Sequence, residues 1–185
     1  MDLGFKYSWL VWQLSNDRVS GVIRVYLHFL YKLILIRRPG LILEVGVGPL
    51  GVSTQAMAMA AEEAGSRMIS IDSKGEAQIP PLSAWKLWKG TYQEFARDVL
   101  GNIQPFLGIN FLFVDCGCRY DDTVKQIGFF FPYLSGEAIV LFHNTNLTVH
   151  MRFPDGFEHG GWDNGRGVVK AIQEYLGMTW DEDTE

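Results

Sequence analysis

Between residues 41 and 177 the chain alternates short apolar runs with longer stretches of helical periodicity. The run Leu-Ile-Leu-Glu-Val-Gly-Val (41–47) is apolar, brief and closed by glycines, which predicts a buried strand. The Ala/Met-rich segment 53–65 has no β-branched residue after Thr54 and stops at Gly65, which predicts a helix with a glycine C-cap. Strand signals recur at 67–72, ending on Asp72, more weakly at 84–90, and strongly at 109–115, ending on Asp115; a fifth spans 137–144. Helical patterns fill 91–103, 120–134 (closing before Gly136) and 165–177. Upstream, residues 21–36 are strongly apolar but carry Arg24, His28 and Lys32 every fourth position, one polar stripe on an amphipathic helix.

Strand and helix in alternation call for parallel neighbours, because parallel strands need crossovers. The expected fold is α/β: a Rossmann-like, mostly parallel sheet of about five strands flanked by helices. Residues 1–39 form an N-terminal helical extension, and 40–185 the domain proper. Ligands of such sheets sit outside the carboxyl ends of the strands, near the point where strand order reverses. That topology singles out Glu44 to Gly51, Asp72, Gly90, Asp115 to Cys118, and His143 to Asn146.

Composition narrows the classes. At 185 residues, 48% hydrophobic and 20% charged, the chain suits one globular domain. A net charge of −5 argues against a nucleic-acid surface. The charge is uneven: residues 1–40 carry six Lys/Arg against two Asp/Glu, and 151–185 carry three against eight, read as solvated surface or pairing of the two ends. Cys116 and Cys118, one residue apart, are poor disulfide partners, which suggests a reducing, cytoplasmic setting. No secretory signal is evident. The 21–36 stretch is too short and too interrupted for stable membrane insertion.

Gly46, Gly48 and Gly51 form a Gly-x-Gly-x-x-Gly turn after the first strand. In a dinucleotide site such glycines admit a pyrophosphate, and an acid about 20 residues on, here Asp72, takes the ribose hydroxyls. Glu44 fits that site poorly, since a carboxylate there repels phosphate and attracts the cationic amino-acid end of S-adenosylmethionine. A third reading is tight packing without a ligand.

With 41–54, the strand 69–72 and the segment 111–146, the chain resembles the class I S-adenosylmethionine-dependent methyltransferases. Within them it is similar to the small-molecule O-methyltransferases of the cephalosporin-hydroxylase and macrocin type. The resemblance implies that Glu44, Gly46, Gly48 and Gly51 line the methionine and ribose part of the cofactor. It implies that Asp72 accepts the ribose hydroxyls, that Gly90 and Thr91 lie near the adenine, and that Asp115 borders the cofactor. Relatives carry further acids that hold magnesium after the fourth and fifth strands. Here those runs read Asp115-Cys116-Gly117-Cys118 and His143-Asn144, leaving Asp115 and Asn144 as a weak, degenerate metal site. A soft-metal site of Cys116, Cys118 and His143, with His150 or His159, is a further reading.

The function implied is O-methyl transfer to a small, hydroxylated, rather apolar metabolite, independent of metal, with His143 as general base. The alternatives are a methyltransferase-like subunit that has lost methyl transfer, and an NAD-type oxidoreductase. The glycine-rich segment 155–167 reads as a loop over the site carrying His159, Trp162 and Asp163. In the resembled family the final helix precedes two more strands, absent here, so the sheet is expected to present an open edge. That edge, or the N-terminal helices, offers a homodimer contact.

Overall fold

The computed structural model describes residues 21–48, 50–75, 79, 81–100, 108–117, 119–143, 151–152, 158–159 and 167–177. In chain order the elements are α1 (Gly21–Arg37), β1 (Leu41–Val45), α2 (Val52–Ala64), β2 (Arg67–Asp72), β3 (Trp85–Lys89), α3 (Tyr92–Asp98), β4 (Ile109–Val114), α4 (Tyr120–Phe130), a 3₁₀ turn (Phe131–Tyr133) and β5 (Leu134–Phe142). The two-residue strands β6 (Met151–Arg152) and β7 (Glu158–His159) follow, then α5 (Gly167–Leu176). Strands β1 to β5 make one sheet of order β3-β2-β1-β4-β5, with every neighbouring pair parallel. The order reverses between β1 and β4, which places the crevice at the carboxyl end of β1.

Every residue of β1 is buried, because helices cover both faces of the sheet. The pleat sends Ile42 to one face, with Met68, Phe111 and Phe113, beneath Leu27, Leu30 and Ile34 of α1 and Met57 of α2. Leu41, Leu43 and Val45 face the other way, with Ile71, Leu112 and Val114, beneath Phe95 of α3 and Phe130 of α4. Helix α1 is thus half of one core layer, while His28 and Lys32 of its polar stripe are exposed. Helix α5 docks on α4, where the Tyr175 ring meets Phe131 edge-on at 5.0 Å and Tyr120 donates a hydrogen bond to Glu174. No helix among the described residues is long and apolar enough to cross a membrane.

Three boundaries depart from the sequence reading. Helix α3 stops at Asp98, well before residue 103. Helix α4 ends at Phe130, and Pro132 in the following turn cannot continue it. Strand β5 then begins at Leu134, so Gly136 lies inside the strand and not in a turn. A bulge absorbs it: Ile109 faces Leu134 but Phe111 faces Ile139, five steps along β5 against two along β4. The segment read as one loop from 155 contains β7, which pairs antiparallel with β6; Trp162 and Asp163 lie outside the described residues.

Candidate functional site

At the switch point a cleft of about 260 Å³ opens, walled by the turn after β1, the end of β2, the start of α3, the turn after β4 and the inner face of α4. Clefts that enclose a whole ligand run from roughly 300 Å³ upward, so this one suits part of a larger molecule. Gly46 forms its floor at φ +94°, and a Cβ there would lie 2.5 Å from the Asp115 carbonyl oxygen and 2.8 Å from the Cys116 Cβ. The glycine is therefore imposed by the close pass of the β1 turn across the end of β4. Gly48 also has positive φ, at +68°, but a Cβ would meet nothing within 4 Å, so its backbone faces open space. Gly51 sits at the N-cap of α2 in the left-handed conformation. Gly46→Ala is expected to cost about 1–3 kcal/mol through strain against fixed backbone. Chemical denaturation measures this, and an unshifted midpoint would remove the packing argument.

Asp72 closes the opposite wall. Its Oδ2 accepts the N–H of Val47 at 3.0 Å and, more loosely, of Gly48 at 3.4 Å; its Oδ1 accepts the N–H of Lys74 at 2.7 Å and Gly75 at 2.9 Å. Burial pushes the carboxyl pKa up, but the N–H donors of Gly75, Val47, Lys74 and Gly48 outweigh it, leaving a net shift downward. The carboxylate thus stays ionised while it clamps the glycine turn to the end of β2. Gly90 and Thr91 line the same cleft. The Thr91 hydroxyl and N–H are both engaged in a capping box with Glu94 at the start of α3, and the Gly90 N–H donates to the Asp72 carbonyl at 3.1 Å.

Glu44 is placed elsewhere. The pleat of β1 turns it away from the cleft to the α1–α2 face, fully buried, where it accepts hydrogen bonds from Ser70 Oγ at 2.6 Å and Ser53 Oγ at 3.1 Å. Burial pushes its pKa up to about 8, against the lowering pull of its serine partners. The attraction to a cationic ligand end expected from the sequence therefore has no cleft-facing charge behind it. Glu44 instead ties the first turn of α2 to β2.

On that same face, at the ends of β4 and β5, stand Asp115 and His143. His143 Nδ1 approaches Asp115 Oδ1 to 2.8 Å, a contact close enough for an ion pair but poorly aligned for a hydrogen bond. The imidazole lies 5.3 Å from the Tyr26 ring of α1 and 6.4 Å from Phe113, centroid to centroid. Burial, then the charges of Asp115 and Glu44, push the Tyr26 phenol well above its ordinary pKa, so it stays protonated. Asn144, Cys118 and His150 lie outside the described residues, as do the side-chain surroundings of His159. Among the described residues no three His, Cys, Asp or Glu side chains are grouped to hold a metal ion.

The structure also brings in residues the sequence reading passed over. Asp122 and Gln126, one turn apart on α4, line the cleft together with Tyr92. Their i, i+4 spacing directly after the β4 turn was the available signal.

A family model described as a methyltransferase domain matches residues 43–145. No curated protein sequence matches the chain. Among solved structures, an O-methyltransferase from Bacillus cereus in complex with S-adenosylhomocysteine is similar with a TM-score of 0.60 at 13% identity, covering 95% of this chain and 78% of that one. The O-methyltransferase TomG from Streptomyces achromogenes, involved in tomaymycin synthesis and solved with S-adenosylmethionine, has a TM-score of 0.56 at 18% identity, covering 87% and 70%. The S-adenosylhomocysteine-bound methyltransferase PaMTH1 from Podospora anserina has a TM-score of 0.57 at 16% identity, covering 95% and 78%.

Proposed function

Because the chain belongs to the methyltransferase-domain family matched over residues 43–145, we propose that it binds S-adenosylmethionine and methylates a hydroxyl group of a small, rather apolar metabolite. The observation that carries this is Asp72, an ionised carboxylate hydrogen-bonded to the glycine turn in the wall of a cleft at the sheet's switch point. That acceptor fits the hydroxyls of the cofactor's nucleoside. Oδ1 is held by Lys74 and Gly75, so the oxygen open to a ribose hydroxyl is Oδ2, in exchange for its long Gly48 contact at 3.4 Å. Gly46 and Gly48 let the backbone approach the ligand with no side chain between.

When bound, the cofactor supplies a methyl group on a sulfonium, whose electron pair returns to sulfur as the acceptor oxygen takes the carbon. The protein's part is to align that oxygen and remove its proton. His143 is the base in this reading. Asp115 beside Nδ1 favours the tautomer with the proton on that nitrogen, which leaves Nε2 to take the hydroxyl proton. The Tyr26 ring supports an apolar wall for the acceptor next to the imidazole. Asp115 is engaged with His143, and its sequence partner for a metal, Asn144, is a neutral amide; this set does not suit a hard divalent cation, so no step runs through one.

A thermal-shift titration with S-adenosylmethionine, S-adenosylhomocysteine and NAD, each with and without magnesium, tests the proposal. Either sulfur ligand at about 100 times its dissociation constant is expected to stabilise the fold by about 2.7 kcal/mol, whether or not magnesium is present. Stabilisation by NAD alone would overturn it.

A further inference from the structure

Helix α1 is apolar on two sides. Its inward row, Leu27, Leu30, Tyr31 and Ile34, is buried in the core layer it shares with α2. On the opposite side stand Phe29, 50% exposed, the half-buried Leu33, and Ile36, 76% exposed, at the i, i+4, i+7 spacing of one helix face. Large apolar side chains gathered on an open helix face mark a surface made to be covered. Lys32 lies between Phe29 and Ile36, and Arg37 and Arg38 follow directly, all three exposed. The helix contains no acidic residue. Glu63, which α2 brings against α1, accepts a hydrogen bond from Tyr31 on the packed side.

Arg38 adds a separate sign. Its φ is +45°, the left-handed conformation in which a helix ordinarily ends on glycine or asparagine, and its N–H donates to the Ile34 carbonyl at 2.8 Å. An arginine held there against its conformational preference sets a cation at the end of the apolar row. Arg37 and Arg38 also suit the negative end of the helix dipole. The dipole gives no reason for Ile36, the most exposed large apolar side chain among the described residues, to stand beside them.

We propose that this face of α1 docks on the surface of an anionic lipid bilayer. The helix lies in the interface, with Phe29, Leu33 and Ile36 toward the acyl chains and Lys32, Arg37 and Arg38 reaching up to the headgroups. Charge selects this occupant. Lys32 stands at the middle of the exposed row, so a twofold pairing of two α1 faces sets Lys32 against Lys32. An anionic bilayer offers negative charge at its surface and apolar depth beneath, which answers both kinds of side chain. The chain's net charge of −5 leaves this basic face as the side such a surface attracts. None of these side chains lines the cleft, so the inference stands apart from the cofactor reading.

Flotation of the full chain tests this, with vesicles of phosphatidylcholine alone and of phosphatidylcholine with about 30 mol% phosphatidylserine. The protein is expected to bind the anionic vesicles about tenfold or more tightly than the neutral ones, and to lose that preference in high salt. Lys32→Gln, Arg37→Gln and Arg38→Gln should each weaken anionic binding about fivefold. Phe29→Ser combined with Ile36→Ser should weaken it about tenfold or more. All five positions are exposed, so no core contact is removed. Binding that survives both sets of changes places the contact elsewhere on the chain and overturns the proposal, as does binding without preference for the anionic vesicles. No binding to either vesicle leaves the face to a protein partner and overturns it equally. A dimer in sedimentation that Phe29→Ser with Ile36→Ser dissolves would assign the face to a second copy instead.

Discussion

Alanine in place of His143 is expected to lower kcat by about 10²–10⁴-fold, the usual contribution of a positioned general base, while leaving the affinity for S-adenosylhomocysteine almost unchanged. The two effects separate because of where the residue stands. Its backbone N–H donates to the Val114 carbonyl at 2.9 Å, which anchors it at the carboxyl end of β5. Its ring lies among Tyr26, Phe113 and Asp115 on the α1–α2 face, away from the walls of the cleft. In the proposed mechanism, removing the imidazole takes away the base and leaves the residues that line the cleft in place. Turnover is measured with an acceptor found by screening hydroxylated metabolites. Undiminished turnover would take His143 out of the chemistry. Asp115→Asn should cost less, since it disturbs only the orientation of the ring.

The second large effect concerns stability. Below pH 4.5 the Glu44 carboxyl is protonated whether the chain is folded or not. Between 4.5 and about 8 the folded protein keeps a proton that the unfolded chain releases, so stability falls as pH rises through this window. Above about 8 the folded state holds a buried charge that its serine donors offset only in part. The whole change has an upper bound on the order of 4–5 kcal/mol. Glu44→Gln keeps the shape of the side chain and removes the titration. Its stability should vary less between pH 5 and 9 than that of the unaltered protein and exceed it at the alkaline end, as followed by urea unfolding at fixed pH values. Parallel curves for the two proteins would show that Glu44 does not retain its proton on folding.

The glycine turn, Asp72 and the placement of His143 were legible in the sequence because each ends an unmistakable apolar strand run. A residue at a strand end in an alternating α/β chain has only one place to go. The side to which Glu44 points was not legible. All of β1 is buried, so its apolar residues mark neither face in the sequence, and it takes the packing of Ile42 and the hydrogen bonds of Ser53 and Ser70 to reveal which way the pleat turns. Gln126 was hidden for a similar reason. A glutamine in a helix with Asp121, Asp122 and Lys125 reads as surface, and its burial depends on how α4 settles against the β4 turn. The start of β5 was misplaced because a bulge carries Gly136 within a strand, where glycine ordinarily signals an end. Strands of two residues, as in β6 and β7, leave no periodicity to read.

The central strand meets its two neighbours at very different distances along the chain. Leu41 lies opposite Arg67, but Ile42 lies opposite Phe111. A β1–α2–β2 unit can therefore close while much of the polypeptide is still to be made. The other flank of β1 must wait for β4. At translation rates of about 5–20 residues per second, that wait is on the order of seconds. During it, a strand that is fully buried in the finished fold presents a bare row of N–H and C=O groups. That places the hazard of misassembly on the ribosome early, in the interval before β4 emerges.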